Sequence, residues 1–320
     1  MSRSTITDVA DRLLEATIVP SFTKIGYSAR QRLFDWEPVD ADLADQVAVV
    51  TGGSSGIGKA TAGALVKLGA QVYLTSRKLE RAEETAKELN ASASGGGQAI
   101  GRSLDTGDFV SIKSFASSMA KVDSGIDIFI NNAGALSAER KTDDRGVELT
   151  LSTHLIGPYL LMNEVRPQFN FGARLLFMSS GGMYTQELDV NRIQLSERTY
   201  KGAIAYARAK RGQVEMVTIL GPQWAPEVIM HSVHPGWVAT AGVDAGLPGF
   251  GKVMGPLLRS ADQGADTMVW LAATGGQGAK PGQFWHDREP RGTSYVPGTG
   301  TTPQERQRLI DWLDEMIADA

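Results

Sequence analysis

The sequence predicts an α/β protein built on a single doubly wound parallel sheet with helices on both faces. Short apolar runs alternate with helical patterns from residue 46 onward. A glycine-rich turn joins the first run to a helix, and small or polar clusters follow later runs. Continuous apolar strands are typical of parallel sheets that are buried on both faces, and their connections are right-handed.

These patterns predict six strands, at residues Val47–Val50, 72–75, 98–104, 126–130, 174–178 and 228–233. Helical patterns cover residues 58–68 and 79–89, and a last helix begins with the capping residues Thr302, Pro303 and Glu305. Residues 91–97 and 241–258 are predicted loops. We expect one domain over residues 46–320, with substrate-binding loops. The apolar face of the last helix consists of Leu309, Ile310, Leu313, Met316 and Ile317.

Residues 1–45 are predicted to form a helical extension in front of this domain. The favoured interpretation is a helix whose apolar face packs on the domain. The alternative is a helix that lies on a membrane surface, so weak peripheral membrane contact is a second expectation. The apolar residues near helical spacing are Val9, Leu13, Leu14, Ile18, Phe22 and Ile25.

The composition excludes several classes of function. The 320-residue chain has a net charge of −4, which does not favour nucleic-acid binding. It has no cysteine, so disulfides and thiol catalysis are excluded, and its four histidines lack metal-ligand spacing. No apolar stretch reaches the roughly 18 residues of a membrane span. The N-terminus lacks the pattern of a signal peptide, so we expect a cytoplasmic protein without a metal.

The glycine-rich turn predicts a dinucleotide site. It follows the first strand and opens a helix, and its glycines let the backbone approach a pyrophosphate at the helix N-terminus. A tight strand-to-helix connection without a ligand is the alternative. The residues predicted to bind the cofactor here are Thr51, Gly52, Ser54, Ser55, Gly56, Ile57 and Gly58.

The end of the second strand predicts NADP(H) in preference to NAD(H). A carboxylate there would bind the ribose 2′-hydroxyl of NAD, but the chain has Ser76 and Arg77 instead. The guanidinium of Arg77 can pair with a 2′-phosphate through two parallel hydrogen bonds. The alternative is that Arg77 is an exposed residue at a helix start, with no ligand.

Tyr206 and Lys210 are the candidate catalytic pair. They are four positions apart in a predicted helix, so both side chains lie on one face. A phenol has a pKa of about 10, and we expect the neighbouring ammonium to lower the pKa of Tyr206. A tyrosine adjusted in this way exchanges a proton with a carbonyl or alcohol oxygen.

Three further clusters follow predicted strands: NNAG at 131–134, SSGG at 179–182, and HPG at 234–236 with Thr240 beyond it. With TGGSSGIG, Asp105 and YxxxK, they occur in the order typical of the short-chain dehydrogenase/reductase superfamily, which the chain resembles over residues 47–286. The segments SSGGM, QLSERTYKGAIAYARAKRGQV, HPGWVAT and SADQGADTMVWLA resemble a vertebrate group near the retinol-dehydrogenase-like branch. The resemblance implies a Rossmann-like fold.

The resemblance also implies roles for individual residues. Ser180, in preference to Ser179, would hydrogen-bond the substrate oxygen, and Lys210 with Tyr206 would also hold the nicotinamide ribose. Asp105 would hydrogen-bond adenine. Homo-oligomers are common in the superfamily and are expected here. The remaining cofactor contacts would come from Asn132, Ala133, Gly134, Pro235, Gly236, Val238 and Thr240.

Two features depart from the superfamily pattern. His154 occupies the position of an asparagine that helps to hold a water in a proton relay, so it either replaces that amide or is a packed helix residue. The interval from Ser180 to Tyr206 is longer than in many members, which makes residues 183–200 an extra loop. An apolar substrate pocket is expected from Met183, Tyr184, Trp237, Phe250, Met254 and Leu257.

The sequence therefore predicts an NADP(H)-dependent oxidoreductase that interconverts a carbonyl and an alcohol on a lipophilic small molecule. Tyr206 would be the acid/base, with Ser180, Lys210 and His154 as the other catalytic residues. The alternative is a catalytically silent protein of the same fold that binds NADP as a sensor or scaffold. His154 favours this alternative, whereas the intact serine, tyrosine and lysine favour the enzyme.

Overall fold

A computed structural model of the chain describes residues 5–93, 95–239, 254–276 and 278–318. In these residues eight strands form one sheet with the order β3-β2-β1-β4-β5-β6-β7-β8. Every neighbouring pair is parallel except β7 and β8, so the predicted doubly wound parallel sheet is confirmed. The strands are β1 Val47–Val50, β2 Gln71–Ser76, β3 Gln98–Ser103, β4 Ile126–Asn131, β5 Phe169–Met178, β6 Val228–His234, β7 Phe284–His286 and β8 Glu289–Arg291.

Helices connect the strands and lie near both ends of the chain. The N-terminal extension contains α1 (Thr5–Glu15), α2 (Ile18–Phe22) and α3 (Lys24–Leu33). After β4, the short α7 (Leu149–Leu151) continues through a π-helical turn (Ser152–Ile156) into α8 (Gly157–Val165). The other helices are α4 Gly56–Lys67, α5 Leu79–Ala91, α6 Phe109–Met119, α9 Gly202–Trp224, α10 Ala261–Thr274 and α11 Pro303–Ile317.

The two strands β7 and β8 and the first half of β5 were not predicted. The former have three residues each, too few to show a periodic pattern, and β5 begins with polar and glycine residues before its apolar half. By contrast, α11 begins at the predicted capping box. The backbone N–H of Glu305 donates to Thr302 Oγ1 at 3.2 Å, and that of Thr302 donates to Glu305 Oε2 at 2.7 Å.

The sheet separates two apolar cores. In β1, Val47 and Val49 face one core, whereas Ala48 and Val50 face the other, since successive side chains of a strand point to opposite faces. Helices α6, α8, α9 and α11 cover the first face, and α4, α5 and α10 cover the second. The sheet is thereby buried on both sides, which explains its continuous apolar strands.

Buried ion pairs join the N-terminal extension to the far end of the sheet. Arg30 in α3 is fully buried and pairs with Asp11 at 2.8 Å, Glu15 at 2.6 Å and Asp287 at 2.7 Å. Asp287 follows β7 and also pairs with Arg259 at 2.5 Å. The extension therefore packs on the domain through these charged side chains and Phe22. The expected apolar contact is wrong for Val9, Leu13, Ile18 and Ile25, which are exposed.

We predict that Arg30→Met lowers the free energy of unfolding by about 3–5 kcal/mol, because it leaves three carboxylates without their shared cation in a buried place. Denaturant titration measures the change. Arg192→Met is the matched control, since Arg192 pairs with Glu187 and Asp189 at the surface and its loss should have no measurable effect. Equal stability of the two variants would contradict this account of the extension.

Candidate active site

The predicted site residues converge at one edge of the sheet, where β1, β4, β5 and β6 end. The chain leaves β1 and β4 in opposite directions across the sheet, so a crevice opens between the loops that follow these strands. Helix α9 packs against β6 and brings Tyr206 and Lys210 to the end of β5. The tyrosine and the lysine thus lie beside the crevice in which such sheets bind dinucleotides.

Thr51 fixes the two loops that border this crevice. Its hydroxyl accepts hydrogen bonds from the backbone N–H groups of Asn132 and Ala133, both at 2.9 Å. The side chain of Asn132 donates to the Thr51 carbonyl at 3.0 Å. Gly52 has a φ of +64°, and a Cβ on Gly58 would overlap the Asn132 amide. Glycine is therefore required at both positions.

The start of α4 fits a pyrophosphate. Ser55 is the N-cap, but its side chain accepts no hydrogen bond from the first turn, so the leading N–H groups stay available. Ser54 is half-buried, while Ser55 and Gly56 are exposed. Free donors at the positive end of a helix match the charge and the acceptor oxygens of a phosphate.

The residues predicted to contact the adenosine half lie after β2 and β3. Ser76 ends β2 and is half-buried, and Arg77 is exposed and makes no ion pair with the described residues. Asp105 is half-buried, and its Oδ1 accepts the N–H of Gly107 at 2.9 Å. Gly134, two residues after Asn132 in the loop that follows β4, is exposed to solvent. The described residues of this region therefore offer a cation but no carboxylate at the end of β2.

Ser180 lies beside Tyr206 at the end of β5, close enough for its side chain to lower the pKa of the tyrosine. Ser180 is half-buried, and its Oγ accepts the N–H of Gly182 at 3.2 Å. The neighbouring Ser179 is buried and instead donates to the carbonyl of Lys210 at 3.3 Å. The structure therefore brings Ser180, and not Ser179, to the tyrosine hydroxyl.

Burial moves the pKa values of the catalytic pair in opposite directions. It raises the pKa of Tyr206 to about 12, which the side chain of Ser180 offsets only in part. Burial lowers the pKa of Lys210 to about 7. The expected net lowering of the Tyr206 pKa is therefore wrong here, because burial of the phenol has the larger effect. Lys210 Nζ lies 5.6 Å from the tyrosine ring centroid, and near neutral pH it is only partly charged.

Lys210 is linked to the π-helical turn through Gln213, which sequence analysis missed. Lys210 Nζ donates to the carbonyl of Met178 at 2.6 Å and to Gln213 Oε1 at 3.4 Å. Gln213 Nε2 donates to the carbonyl of His154 at 3.2 Å. The spacing of three residues from Lys210 places Gln213 on the same helix face, which was the available clue. A continuous hydrogen-bonded path therefore joins the lysine to the backbone of His154.

The His154 ring packs against the tyrosine and does not contact Lys210. The rings of His154 and Tyr206 are nearly perpendicular, with centroids 4.9 Å apart. His154 Nε2 lies 2.8 Å from the Ala135 carbonyl and 3.3 Å from the Ala135 backbone nitrogen, and the shorter contact favours a ring proton on Nε2. Burial, with Lys210 nearby, lowers the pKa of His154 to about 3, so the ring is neutral. The backbone carbonyl of His154 is thus linked to Lys210 through Gln213, whereas the ring of His154 packs against Tyr206.

The loop after β6 is held from two sides. Arg259 Nη1 donates to the Pro235 carbonyl at 3.3 Å, and the Arg259 backbone N–H donates to the Trp237 carbonyl at 2.8 Å. From the N-terminal extension, the Phe22 carbonyl accepts the N–H of Trp237 at 2.7 Å. Val238 is buried and forms an isolated parallel bridge with Arg259. Pro235, Gly236 and Val238, predicted to hold the nicotinamide end, therefore depend on the extension.

Two of the residues expected to line an apolar pocket do not do so. Met183 and Tyr184 belong to a buried cluster with Phe22, so their side chains do not line an open pocket, and the prediction for these two is wrong. The short helical turns after Ser180 fold them inward. Of the others, Trp237, Met254 and Leu257 are half-buried, and Thr240 and Phe250 lie outside the described residues.

Comparison with known proteins identifies the class. The family model for short chain dehydrogenases matches residues 46–246, more than half of the chain. The chain therefore belongs to the short-chain dehydrogenase/reductase family, as its motifs predict. It is an oxidoreductase that acts on CH–OH donors with a nicotinamide cofactor.

Within this family the chain is similar to dehydrogenase/reductase SDR family member 12 of Homo sapiens, with 34% identity over 302 residues, 92% of this chain and 93% of that protein. Retinol dehydrogenase 11 of Mus musculus is 28% identical over 266 residues, 80% of this chain and 82% of that protein. The predicted resemblance to this part of the family is confirmed. A short-chain dehydrogenase from Burkholderia cenocepacia, solved in complex with NADP, has the same fold, with 24% identity and a TM-score of 0.62 over 76% of this chain and 96% of that chain.

Proposed function

We propose that this protein interconverts a carbonyl and an alcohol with NADP(H), using Tyr206 as the acid/base. The contact between the Ser180 and Tyr206 hydroxyls at the crevice, with Lys210 buried beside them, carries the proposal. Bound NADPH would supply hydride to the carbonyl carbon. The side chains supply the proton and hold the carbonyl oxygen.

The protonation states of the site favour reduction. Ser180 would donate a hydrogen bond to the carbonyl oxygen, and Tyr206 would give it a proton as the alcohol forms. The raised pKa keeps Tyr206 protonated at neutral pH, which is the form that reduction needs. Oxidation needs the phenolate, which the same burial disfavours. The charged fraction of Lys210 stabilises the phenolate that remains after proton transfer.

We predict that Tyr206→Phe lowers kcat about 10²- to 10⁴-fold with little change in NADPH affinity, because it removes the proton donor alone. NADPH oxidation with a panel of lipophilic ketones and aldehydes measures turnover, and fluorescence titration measures cofactor binding. Tyr295→Phe is the control, since that ring is 52% exposed and outside the site. Turnover that survives Tyr206→Phe would defeat the proposal. NADPH binding without turnover of any panel member would favour the silent sensor.

NADP(H) is the proposed cofactor, because the exposed Arg77 at the end of β2 has no carboxylate beside it to bind a 2′-hydroxyl. We predict that Arg77→Gln raises the KM for NADPH by about 10- to 100-fold, the loss of a charge-assisted phosphate contact, and leaves the KM for NADH unchanged. Arg81→Gln, an exposed arginine one turn further along α5, is the control. A wild-type preference for NADH would overturn the assignment.

The path through Gln213 predicts how the rate depends on pH. Lys210 is charged below its pKa of about 7, so reductase kcat should fall as the pH rises through this value. Gln213→Leu removes an acceptor from the ammonium, so the Lys210 pKa drops further and the fall should begin about one unit lower. Gln213→Glu places a carboxylate there and should shift the fall upward. Identical profiles for all three proteins would exclude a positioning role for Gln213.

The proposed substrate is a lipophilic alcohol, ketone or aldehyde. Support comes from the half-buried Trp237 in the loop after β6, with Met254 and Leu257 as further expected contacts, and from a similar protein named for retinol, itself a lipophilic alcohol. A homo-oligomer, a cytoplasmic location and the division of the chain at residue 45 stay predictions.

A further inference from the structure

Helix α1 packs with its charged side inward and its apolar side outward. Asp11 and Glu15, four residues apart, have side chains only 10% and 9% exposed and pair with buried arginines. Val9 and Leu13, also four residues apart, are 50% and 67% exposed. A surface helix of a protein surrounded only by water has the reverse arrangement. The orientation of α1 therefore requires a partner for its apolar side.

Apolar side chains are also exposed on α2 and at the start of α3. Ile18 is 62%, Val19 45% and Ile25 51% exposed. We call Val9, Leu13, Ile18, Val19 and Ile25 the outer face. It contains half of the exposed large apolar side chains found in the described residues, within one short segment. A concentration of this kind marks a binding surface, whereas scattered exposed apolar residues need no explanation.

The exposed charges between residues 7 and 33 are of one sign, whereas the exposed carboxylates of the extension, such as Asp35 and Glu37, come after α3. Between residues 7 and 33, the exposed charged side chains are Arg12, Lys24 and Arg32, all cations. Asp11 and Glu15 are turned inward, and Asp8 is half-buried. The whole chain, by contrast, has a net charge of −4. Apolar side chains flanked by cations match the acyl boundary and the anionic headgroups of a lipid surface.

We propose that the outer face docks this protein on the surface of an anionic membrane. Val9, Leu13 and Ile18 enter the boundary between headgroups and acyl chains, while Arg12 and Lys24 extend towards the lipid phosphates. The contact is peripheral, because no helix in the described part of the chain is long and apolar enough to cross a bilayer.

A second copy of the chain is a poorer partner for this surface. A two-fold interface would place the same patch on both sides. The cations of one copy would then lie near those of the other, and residues 7–33 offer no exposed carboxylate to pair with them. An anionic lipid surface satisfies both the apolar side chains and the cations.

Docking places the site next to the lipid. Helix α2 runs from the exposed Ile18 to Phe22, about 6 Å along its axis. The Phe22 ring packs at 4.4 Å from His234 and 5.9 Å from Trp237, beside the loop after β6. If the proposed function is right, a lipophilic substrate would reach the site from the membrane without crossing water. The docking itself does not depend on that function.

Vesicle co-sedimentation of the full chain tests the proposal. The probes are vesicles of phosphatidylcholine alone, and vesicles of about three parts phosphatidylcholine to one part phosphatidylserine. We expect binding to the second kind, weakened by salt. Leu13→Asp with Ile18→Asp should reduce it roughly tenfold or more. The matched control is Val110→Asp with Phe171→Asp, which changes the charge equally at side chains 77% and 79% exposed elsewhere, and should bind as wild type.

A second pair of variants tests the cations. Arg12→Gln with Lys24→Gln should remove most of the preference for phosphatidylserine, whereas Lys67→Gln with Lys87→Gln, exposed lysines away from the outer face, should keep it. Unfolding temperature and NADPH titration verify that each variant is folded.

The proposal is overturned if wild type binds neither vesicle, or if both aspartate pairs weaken binding equally. It also fails if wild type is a dimer that Leu13→Asp with Ile18→Asp dissociates. None of these outcomes depends on turnover, so they are distinct from failure of the proposed function.

Discussion

Asp287 is a buried carboxylate between two arginines, and two parts of the protein depend on it. Arg30 on one side holds the N-terminal extension, and Arg259 on the other holds the loop after β6. Burial opposes ionisation of this carboxyl, but the two guanidinium groups hold the pKa of Asp287 well below its ordinary range. His286 beside it is uncharged, because burial lowers its pKa to about 3. The loop after β6 borders the crevice and contains the predicted nicotinamide contacts. The ion pair between Arg259 and Asp287, which lies outside the crevice, therefore helps to position these contacts.

The consequence for pH follows from the sign of that shift. A carboxyl with a depressed pKa in the folded state stabilises the protein above its unfolded pKa, and the stabilisation is lost as the pH falls. The extension and the loop after β6 share this carboxyl, so acid should loosen both together. The crevice is formed by loops of the sheet, and the outer face is formed by α1, α2 and α3. Both are therefore linked through the Asp287 carboxyl.

Sequence patterns predict strands, turns and helix caps, which have short local signatures. They do not predict contacts between segments that are far apart in the chain. The six longer strands, the glycine turn and the α11 capping box each have a short-range signature, and all are present. Arg30 and Asp287 are 257 positions apart, and no periodicity connects them. Gln213 has helical spacing from Lys210, but many helix residues share that spacing without a role. The pKa of Tyr206 was predicted from one neighbour, whereas burial of the phenol, which no sequence pattern measures, proved the larger effect.

The orientation of α1 shows why the apolar spacing of the extension was ambiguous. A helix with one apolar and one charged side can turn either side to the domain, and the apolar spacing is the same in both cases. Turning Val9 and Leu13 inward would gain about 1.5–3 kcal/mol for each side chain fully buried. It would also remove Asp11 and Glu15 from Arg30, which would keep Asp287, and it would leave Arg291 without its two carboxylates, at a cost of about 3–5 kcal/mol for an unpaired buried charge. This loss is of the same size as the hydrophobic gain, so the observed rotation keeps the buried arginines paired and leaves Val9 and Leu13 exposed.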